Sequence, residues 1–245
     1  MTGGVVRGWL VDLRDPALNR AGVVRPDDLG AADLDRAAGK RPDTRAGFLL
    51  SRWVVRVLLG QALGEPPGRL RVAHRDGGGP WLPAHPDTHV SWSRSDGCLL
   101  LALSADGPLG VDVEALRPVR EPARVLEAVY PMAIALGTLD DPAHFFGAWT
   151  LLEAAVKATG RGLAAGARDV DLVRPAANGP CVLRGVRNSG QLPWTGEVLR
   201  LARPTGGEVV AGFVHTGRPA PVDLVAWPQV SEQDSSDRFD LLGTR

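Results

Sequence analysis

The stretch that decides the fold of this chain has five residues, Gly110-Val111-Asp112-Val113-Glu114, in which two acids alternate with two valines. Side chains at positions i and i+2 of a β-strand lie on the same face. Asp112 and Glu114 are therefore expected on one face and the valines on the opposite, buried face. Neighbouring carboxylates repel each other unless a cation lies between them, and Mg²⁺ prefers such oxygen ligands. The stretch leaves two interpretations open, a metal site and a strand with a solvated acidic face.

Composition excludes several classes of protein. The chain has 245 residues, which suit one large domain or two small lobes. Its formal net charge is +0, so no overall field indicates nucleic acid or a membrane as partner. No signal peptide and no run of about 18 apolar residues occurs, so we expect a cytoplasmic protein without a membrane span. Cys98 and Cys181 lack zinc-ligand spacing and are predicted to be small buried hydrophobes.

Hydrophobic periodicity predicts helices and short strands in both halves of the chain. Helices are expected over 26–38, 43–60 with Asp43 as N-cap, 121–130 and 144–158. Strands are expected over 5–13, 70–73, 89–93, 98–103, 170–173, 182–186, 198–202 and 209–214, with 89–93 and 98–103 forming a hairpin. In each half a helix with a basic residue precedes a hairpin, which is a hint of internal duplication.

A second group of candidate residues lies on the helix expected over 144–158. Glu153 and Lys157 are four positions apart and so share a face, and Trp149 lies one turn earlier. The structural interpretation is a surface ion pair that contributes a few tenths of a kcal/mol. The functional interpretation is favoured by the small residues Ala154 and Ala155 and by the glycine-containing loop 160–162, whose backbone is able to approach a ligand closely.

The stretches 110–114 and 149–163 together resemble the signature of the 4′-phosphopantetheinyl transferases, in particular the type that activates surfactin synthetase. That family has a Gly-hydrophobic-Asp-hydrophobic-Glu strand and, further along, Trp-Ser/Thr-x-Lys-Glu-Ala/Ser-x-x-Lys before Gly-x-Gly-Leu. The second stretch here is Trp149-Thr150-Leu151-Leu152-Glu153-Ala154-Ala155-Val156-Lys157-Ala158-Thr159-Gly160-Arg161-Gly162-Leu163. Upstream, the family's arginine helix and its Asn-Ile-Ser-His-Ser match Arg45-x-x-Phe48-x-x-x-Arg52-x-x-x-Arg56 and Ser91-Trp92-Ser93-Arg94-Ser95. The resemblance covers residues 40–215.

The resemblance implies an α+β fold of two similar lobes related by a pseudo-twofold axis, with the active site in the cleft between them. The N-terminal lobe, 1–107, is expected to hold the nucleotide side of coenzyme A. The C-terminal lobe, 108–227, is expected to carry the metal and the catalytic residues, and the polar segment 228–245 to form a disordered tail. A monomer is expected, because the second lobe supplies what a partner subunit supplies in the shorter carrier-protein synthases.

The family transfers the 4′-phosphopantetheine group of coenzyme A to a serine of an apo carrier protein, of acyl, polyketide or peptidyl type, and releases adenosine 3′,5′-bisphosphate. Carried over to this chain, Asp112, Glu114 and Glu153 are the expected ligands of Mg²⁺, with Mn²⁺ as the alternative metal. Glu153 is the expected general base, and Lys157 is expected to contact the phosphates and stabilise the leaving group. The expected catalytic residues are Asp112, Glu153 and Lys157.

For coenzyme A itself, the resemblance implies contacts from Arg45, Ser93, Arg94, Trp149 and Lys157. Arg45 would bind a phosphate, and Trp149 would pack near the pantetheine arm. Ser93 and Arg94 occupy the family's 3′-phosphate position, where an arginine is able to make a bidentate contact.

The arginines of the first long helix also have structural interpretations. Arg45 is equally able to lie on the helix surface and pair with Asp43 or Asp76. Arg52 and Arg56 are expected to support the helix or the contact between the lobes.

Three departures from the family pattern keep a second function open. Leu152 replaces the lysine before the metal-binding glutamate, Gly78-Gly79-Pro80 replaces Gly-Lys-Pro, and Arg94 replaces a histidine. The alternative is therefore a paralogue that binds coenzyme A or a carrier protein but is weak in transfer. An unrelated phosphotransferase would need a glycine-rich phosphate loop, and the sequence contains none.

Overall fold

The computed structural model describes residues 5–75, 79–137, 139–176, 179–189, 193–216 and 221–228. Within them the strands are β1 (Val6–Asp12), β2 (Ala73–His74), β3 (Pro80–Trp81), β4 (His89–Ser95), β5 (Cys98–Ser104), β6 (Leu109–Ala115), β7 (Val170–Val173), β8 (Val182–Val186), β9 (Trp194–Ala202), β10 (Glu208–Thr216) and β11 (Val222–Trp227). The helices are α1 (Ala31–Ala38), α2 (Pro42–Leu63), α3 (Pro122–Glu127), α4 (Pro142–Thr159) and α5 (Leu163–Gly166). The mixed α+β class is as predicted, while the predicted tail lies outside the described residues beyond position 228.

Two sheets carry the core. The first has the strand order β11-β1-β5-β4 and the second β6-β10-β9. Neighbouring strands in both are antiparallel, except that β1 and β11 run parallel. The pairs β2-β3 and β7-β8 form two short ribbons beside these sheets.

Alternation along the strands builds four layers. On β5, Leu99 and Leu101 pack with the buried face of α2, whereas Leu100 packs toward the second sheet. On β10, Phe213 packs toward the first sheet and Val210 toward α4. Each fully buried side chain of this kind contributes roughly 2 kcal/mol. The order of layers is therefore α2, first sheet, second sheet and α4, and the two sheets share the central core.

Much of the predicted secondary structure is confirmed. The β4-β5 hairpin, the strands 170–173 and 182–186, and the helix that became α4 all occur near their predicted positions. Cys98 and Cys181 are free and buried, as predicted.

The predicted helix 26–38 is wrong in its first half, because tertiary packing interrupts it. A 3-10 turn at Pro26–Asp28 precedes α1, and Gly30 between them is extended. A Cβ atom at Gly30 would lie 2.2 Å from Arg56 Nη2, so the guanidinium of Arg56 takes the space of a side chain here. The sequence pattern contains no sign of this contact.

Other predicted boundaries are corrected by local contacts. Arg41, not Asp43, is the N-cap of α2, since Pro42 opens the helix, and α2 continues past 60 because Leu63 still packs on the core. The predicted strand 70–73 is confined to Ala73–His74, because Arg56 Nη1 donates to the Leu70 carbonyl at 2.7 Å. The predicted helix 121–130 ends at Glu127.

The last strand of the segment predicted as the second lobe pairs with the first strand of the chain. β11 lies parallel to β1 in the first sheet, and Trp227 packs 6.5 Å from Trp53 on α2. Without β11, the outer edge of β1 would expose unpaired backbone N–H and C=O groups. The final strand of the segment 108–227 thus completes the first sheet, while the division of the chain into lobes stays a prediction.

Among the described helices, α2 alone is long and apolar enough to span a membrane. Just over half of its apolar window, 56%, is buried inside the protein. It also carries Arg56, whose Nε donates to Asp33 Oδ2 at 2.7 Å in a buried ion pair. We interpret α2 as the core helix of the first sheet.

Candidate active site

Two glycines let α4 lie directly on the second sheet. A Cβ atom on Gly110 of β6 would lie 1.9 Å from the Ala154 carbonyl oxygen, and one on Gly212 of β10 would lie 2.6 Å from the Thr150 backbone. Gly212 is also the register partner of Asp112. Any side chain at these positions would push the helix away, so the glycines set how closely α4 approaches the acids of β6.

Asp112 and Lys157 meet as a result of this close packing. Lys157 Nζ donates to Asp112 Oδ1 at 2.7 Å and to Ser93 Oγ at 3.0 Å, while Ser93 Oγ donates to the same Asp112 oxygen at 2.6 Å. Asp112 is only 3% exposed. Its second oxygen, Oδ2, is buried and has no hydrogen-bond partner among the described residues. The carboxylate thus has one saturated oxygen and one that lacks a partner.

A serine ladder on β4 joins the two sheets beside this pair. Ser91 Oγ accepts from the Val111 backbone N–H at 3.1 Å, and Ser93 bonds Asp112 as described. Ser95 Oγ donates to Glu114 Oε2 at 2.7 Å. Alternate serines of β4 therefore hold the backbone and both acids of β6, and these acids share the face that was predicted for them.

Glu153 completes the acidic cluster from α4. Its Oε2 lies 3.7 Å from Lys157 Nζ. Burial raises the pKa of Glu153 above its ordinary value of 4.5, and the charges of Asp112 and Glu114 raise it further, against the lowering effect of Lys157. Burial likewise raises the pKa of Asp112. A carboxylate with a raised pKa is a better proton acceptor, as a general base requires.

The donor set of the cluster fits a hard divalent cation, although its acids do not converge on one point. In the part of the chain that the structure describes, no group of three His, Cys, Asp or Glu side chains is arranged to hold a metal. Lys157 stands between Asp112 and Glu153 instead. A buried carboxylate oxygen without a partner is costly, and a bound cation removes that cost. Asp112, with Glu114 and Glu153 as further oxygen donors, therefore suits Mg²⁺ or Mn²⁺ chemically, and the metal remains a prediction.

A cavity of about 700 Å³ opens beside the cluster, between the first sheet and α4. Glu153, Lys157 and the loop that follows α4 line this cavity, and so do Arg36, Arg52 and Arg75. The cationic side chains favour an anionic ligand such as a phosphate ester.

Neighbouring side chains hold two of the arginines that line the cavity, Arg36 and Arg52, in place. Burial and the charges of Arg36 and Arg52 lower the pKa of His74, so its ring is neutral at pH 7 and accepts a hydrogen bond from Arg36 Nη1 at 3.0 Å. Arg52 lies over the rings of Phe48 and Trp92 and 3.7 Å from Asp33. The sequence pattern missed Arg36, His74 and Arg75, because residues from α1, β2 and a loop meet there only in the folded chain.

Arg45, the predicted phosphate contact, lies against the end of α1. Arg45 Nε and Nη2 donate to the carbonyls of Ala37 and Ala38, each at 3.0 Å, so the guanidinium closes the end of α1. Arg45 does not line the cavity, nor does it pair with Asp43, whose carboxylate binds Arg41. The other proposed partner, position 76, lies outside the described residues. A phosphate contact for Arg45 remains a prediction.

Ser93 and Arg94 point to opposite sides of β4. Ser93 faces the acidic cluster, whereas Arg94 Nη1 donates to the Gly47 carbonyl at 2.9 Å. Arg94 lines a second cavity of about 300 Å³, together with Phe48 and Arg52. Arg52 reaches both cavities and so connects the predicted 3′-phosphate position with the larger one.

The remaining predicted residues are largely structural in their contacts. Trp149 stacks on Phe145 at 6.0 Å and packs against the core below α4 rather than in the cavity wall. Leu152 is fully buried in the same core. Arg56, in its buried pair with Asp33, supports the α1-α2 packing, as predicted.

Comparison with known proteins agrees with this arrangement at the level of the superfamily. Residues 108–214 match the model of the 4′-phosphopantetheinyl transferase superfamily. The 4′-phosphopantetheinyl transferase HetI of Nostoc sp. is 30% identical over 131 residues, which are 50% of this chain and 55% of HetI. The Synechocystis sp. protein slr0495 is 29% identical over 140 residues, 54% of this chain and 56% of that protein.

A third relative is more distant but covers more sequence. A 4′-phosphopantetheinyl transferase of Bacillus subtilis is 25% identical over 158 residues, 58% of this chain and 70% of the relative. The chain spans little more than half the length of the first two relatives. The resemblance inferred from the motifs is confirmed over residues 108–214, which match the model of the superfamily.

Proposed function

Because residues 108–214 of this chain match the model of the 4′-phosphopantetheinyl transferase superfamily, we propose that it transfers the 4′-phosphopantetheine group of coenzyme A to a serine of an apo carrier protein. The products are the holo carrier protein and adenosine 3′,5′-bisphosphate. The proposal places the chain with the two-lobe, monomeric, cytoplasmic type that activates surfactin synthetase, and its partner is an acyl or peptidyl carrier protein.

One observation carries the proposal. The packing of α4 on β6 brings Glu153 and Lys157 beside Asp112, at the edge of a cavity that three arginines also line. Coenzyme A carries a diphosphate and a 3′-phosphate, and a cavity of about 700 Å³ lies within the range of ligand sites. Arg36, Arg52 and Arg75 would bind those anionic groups, because guanidinium groups pair well with phosphate oxygens.

Each residue of the cluster has a separate role in phosphoryl transfer. Glu153 accepts the proton of the carrier serine hydroxyl, whose oxygen then attacks the phosphorus next to the pantetheine arm. The bond from that phosphorus to the bridging oxygen breaks, and Lys157 stabilises the charge on the departing bisphosphate. A divalent cation held by Asp112, Glu114 and Glu153 would neutralise charge on the diphosphate oxygens.

Mass spectrometry of a carrier protein tests the proposal. The protein is incubated with coenzyme A, Mg²⁺ and each of several apo carrier proteins, and one added phosphopantetheine is expected on at least one of them. Asp112→Ala should abolish transfer while the protein remains folded, whereas Lys40→Ala, far from the cluster, should have little effect. Failure of transfer to every carrier would exclude the enzymatic function.

A second candidate, binding without transfer, is favoured by Leu152. The family has a lysine at this position, and here the side chain is fully buried and offers no charge to the cavity. Calorimetry with coenzyme A at saturating Mg²⁺ distinguishes the two functions. Binding of coenzyme A together with no transfer would support the paralogue that only binds.

A further inference from the structure

Lys157 is a positive charge enclosed by negative ones. Its Nζ lies 2.7 Å from Asp112 Oδ1, 3.7 Å from Glu153 Oε2 and 3.0 Å from Ser93 Oγ. The side chain of Lys157 is 29% exposed, so these contacts are partly shielded from water. An ammonium group in this position takes the place of a bound cation.

The chemistry of this position is unusual within the chain. Of its 28 basic residues, only Lys40 and Lys157 are lysines, and the others are arginines. An ammonium is a compact point charge on a flexible stem, whereas a guanidinium is a broad planar fork. The ammonium group, unlike the guanidinium group, resembles a small spherical cation. The flexible side chain of lysine also lets the ammonium group move away from its partners.

The carboxyl groups around Lys157 are able to bind another cation in place of its ammonium group. Asp112, Glu114 and Glu153 are three carboxyl groups, and Arg117 forms an ion pair with Glu114 at 3.0 Å. The Oδ2 atom of Asp112, which has no hydrogen-bond partner among the described residues, belongs to the same carboxylate that Lys157 holds. A divalent cation at these oxygens would have to overcome the repulsion of an ammonium a few ångströms away.

We propose that Lys157 is the resident cation of the acidic cluster, that it competes with a divalent cation for Asp112 and Glu153, and that an anionic ligand in the cavity relieves this competition by drawing Lys157 toward itself. This inference rests on the metal assignment within the proposed function. Its consequence is positive coupling, in which the divalent cation and the phosphate-bearing ligand each strengthen binding of the other.

Direct measurement of Mn²⁺ binding tests the competition without any need for activity. Free Mn²⁺ is followed by electron paramagnetic resonance in the absence of coenzyme A, for the original protein and for Lys157→Met. The variant removes the charge but keeps a side chain of similar length, and it should bind Mn²⁺ about tenfold or more tightly.

Two matched variants control this experiment. Lys40→Met makes the same change at the other lysine, which lies over the Phe48 ring at 4.7 Å, and should leave Mn²⁺ affinity within about twofold. Lys157→Arg keeps the positive charge and should not tighten binding. If folded Lys157→Met, checked by its melting temperature, binds Mn²⁺ no better than the original protein, or not at all, the proposal is overturned.

The original protein provides an independent measurement should Lys157→Met fail to fold. Acetylation of Lys157 and Lys40 is quantified by mass spectrometry with and without Mn²⁺, Lys40 being the internal reference. Displacement of Lys157 from Asp112 should raise its relative acetylation by about threefold or more. An unchanged ratio at saturating Mn²⁺ would contradict the proposal.

The experiments distinguish failure of the proposed competition from failure of the proposed transferase function. A chain that transfers phosphopantetheine, but shows no tightening in Lys157→Met, keeps its transferase function and loses only the competition. A chain that shows tightening without transfer keeps the competition and loses the transferase function.

Discussion

At the scale of single residues, the two carboxylates that face Lys157 differ in how they are held. Asp112 is fixed by two hydrogen bonds to one oxygen, from Ser93 and Lys157. Within the described part of the chain, the Glu153 carboxylate has only the longer contact to Lys157, at 3.7 Å. Asp112, which is held more firmly, is suited to positioning other groups. Glu153, which is less constrained, is suited to proton transfer.

Replacement of Glu153 should therefore reduce kcat more than the affinity for coenzyme A. Glu153→Gln keeps the shape of the side chain but removes the proton acceptor, and we expect kcat to fall about 100-fold or more. The split between kcat and KM in the transfer assay measures this. Glu127→Gln, on the exposed end of α3, is the control and should behave as the original protein.

The same substitution has a pH-dependent effect on stability in metal-free buffer. Because the pKa of Glu153 is raised in the folded protein, its ionised form disfavours folding. Glu153→Gln should thus be more stable than the original protein above the raised pKa, and this advantage should disappear as the pH falls to the ordinary value of 4.5. Urea unfolding with EDTA between pH 4 and pH 8 measures the difference, and an advantage that grows toward low pH would contradict it.

At the scale of secondary structure elements, the approach of α4 to the second sheet controls the site. A side chain on Gly212 would meet the Thr150 backbone at 2.6 Å, which cannot yield without moving the helix. We expect Gly212→Ala to reduce the free energy of unfolding by about 2 kcal/mol and to impair transfer as Lys157 shifts from Asp112.

Gly185 on β8 is the matched control for this substitution. No atom of the described residues lies within 4 Å of a Cβ atom built there, so Gly185→Ala should change the free energy of unfolding by less than about 0.5 kcal/mol. Urea unfolding midpoints of the two variants provide the comparison. Equal midpoints would show that α4 tolerates a side chain beneath it.

The sequence predicted best those helices and strands whose own apolar residues recur with the period of a helix or a strand. α4, β7 and β8 have clear apolar patterns, and Asp112 with Glu114 share a face because strand geometry requires it. The break before α1 and the loss of the strand at 70–73 both come from Arg56, which reaches from α2 to Gly30 and to the Leu70 carbonyl. Such contacts join residues distant in sequence, and no local pattern records them.

The candidate site likewise contains residues that the sequence predicted and residues that it did not. The acids and Lys157 belong to two short motifs and were predictable, whereas Arg36 and Arg75 enter the cavity wall only through the packing of α1 and a loop. Arg45 is a further example, since two backbone carbonyls at the end of α1 take its guanidinium.

At the scale of the whole molecule, a buried ionic contact fixes the two sheets to each other. Arg203, in the β9-β10 turn, lies 3.8 Å from Asp12 at the end of β1 and donates to Asp96 in the β4-β5 turn at 3.2 Å. The Thr205 backbone N–H donates to Asp12 Oδ2 at 3.2 Å, and its hydroxyl donates to the same oxygen. This contact is remote from the cavity, so it bears on stability rather than on chemistry.

Loss of the Asp12 charge should destabilise the protein in a pH-dependent manner. Burial by itself raises the pKa of Asp12, but hydrogen bonds from Thr205 and Arg14 and the charge of Arg203 hold it below its ordinary value of 3.8. The carboxylate therefore stabilises the folded state above that pH and loses this effect as the pH falls through the lowered pKa.

Asp12→Asn should accordingly cost about 2 kcal/mol at pH 7, because the buried Arg203 keeps its contact with Asp96 but loses the charge of Asp12. The difference from the original protein should shrink toward zero as the pH falls below 3.8. Unfolding by urea over this pH range measures it. Asp35→Asn, exposed on α1, is the control, and a cost independent of pH would contradict the assigned role of the charge.

The parallel pairing of β11 with β1 determines where the chain can be attached to a surface. In the order β11-β1-β5-β4, the last described strand lies at one edge of the sheet and β4, with its serine ladder, at the other. Three strand spacings separate these edges, roughly 14 Å across the sheet. A tether attached to β11 would start at the edge of the sheet opposite β4, so immobilisation through this strand should keep the cavity open to a large macromolecular substrate.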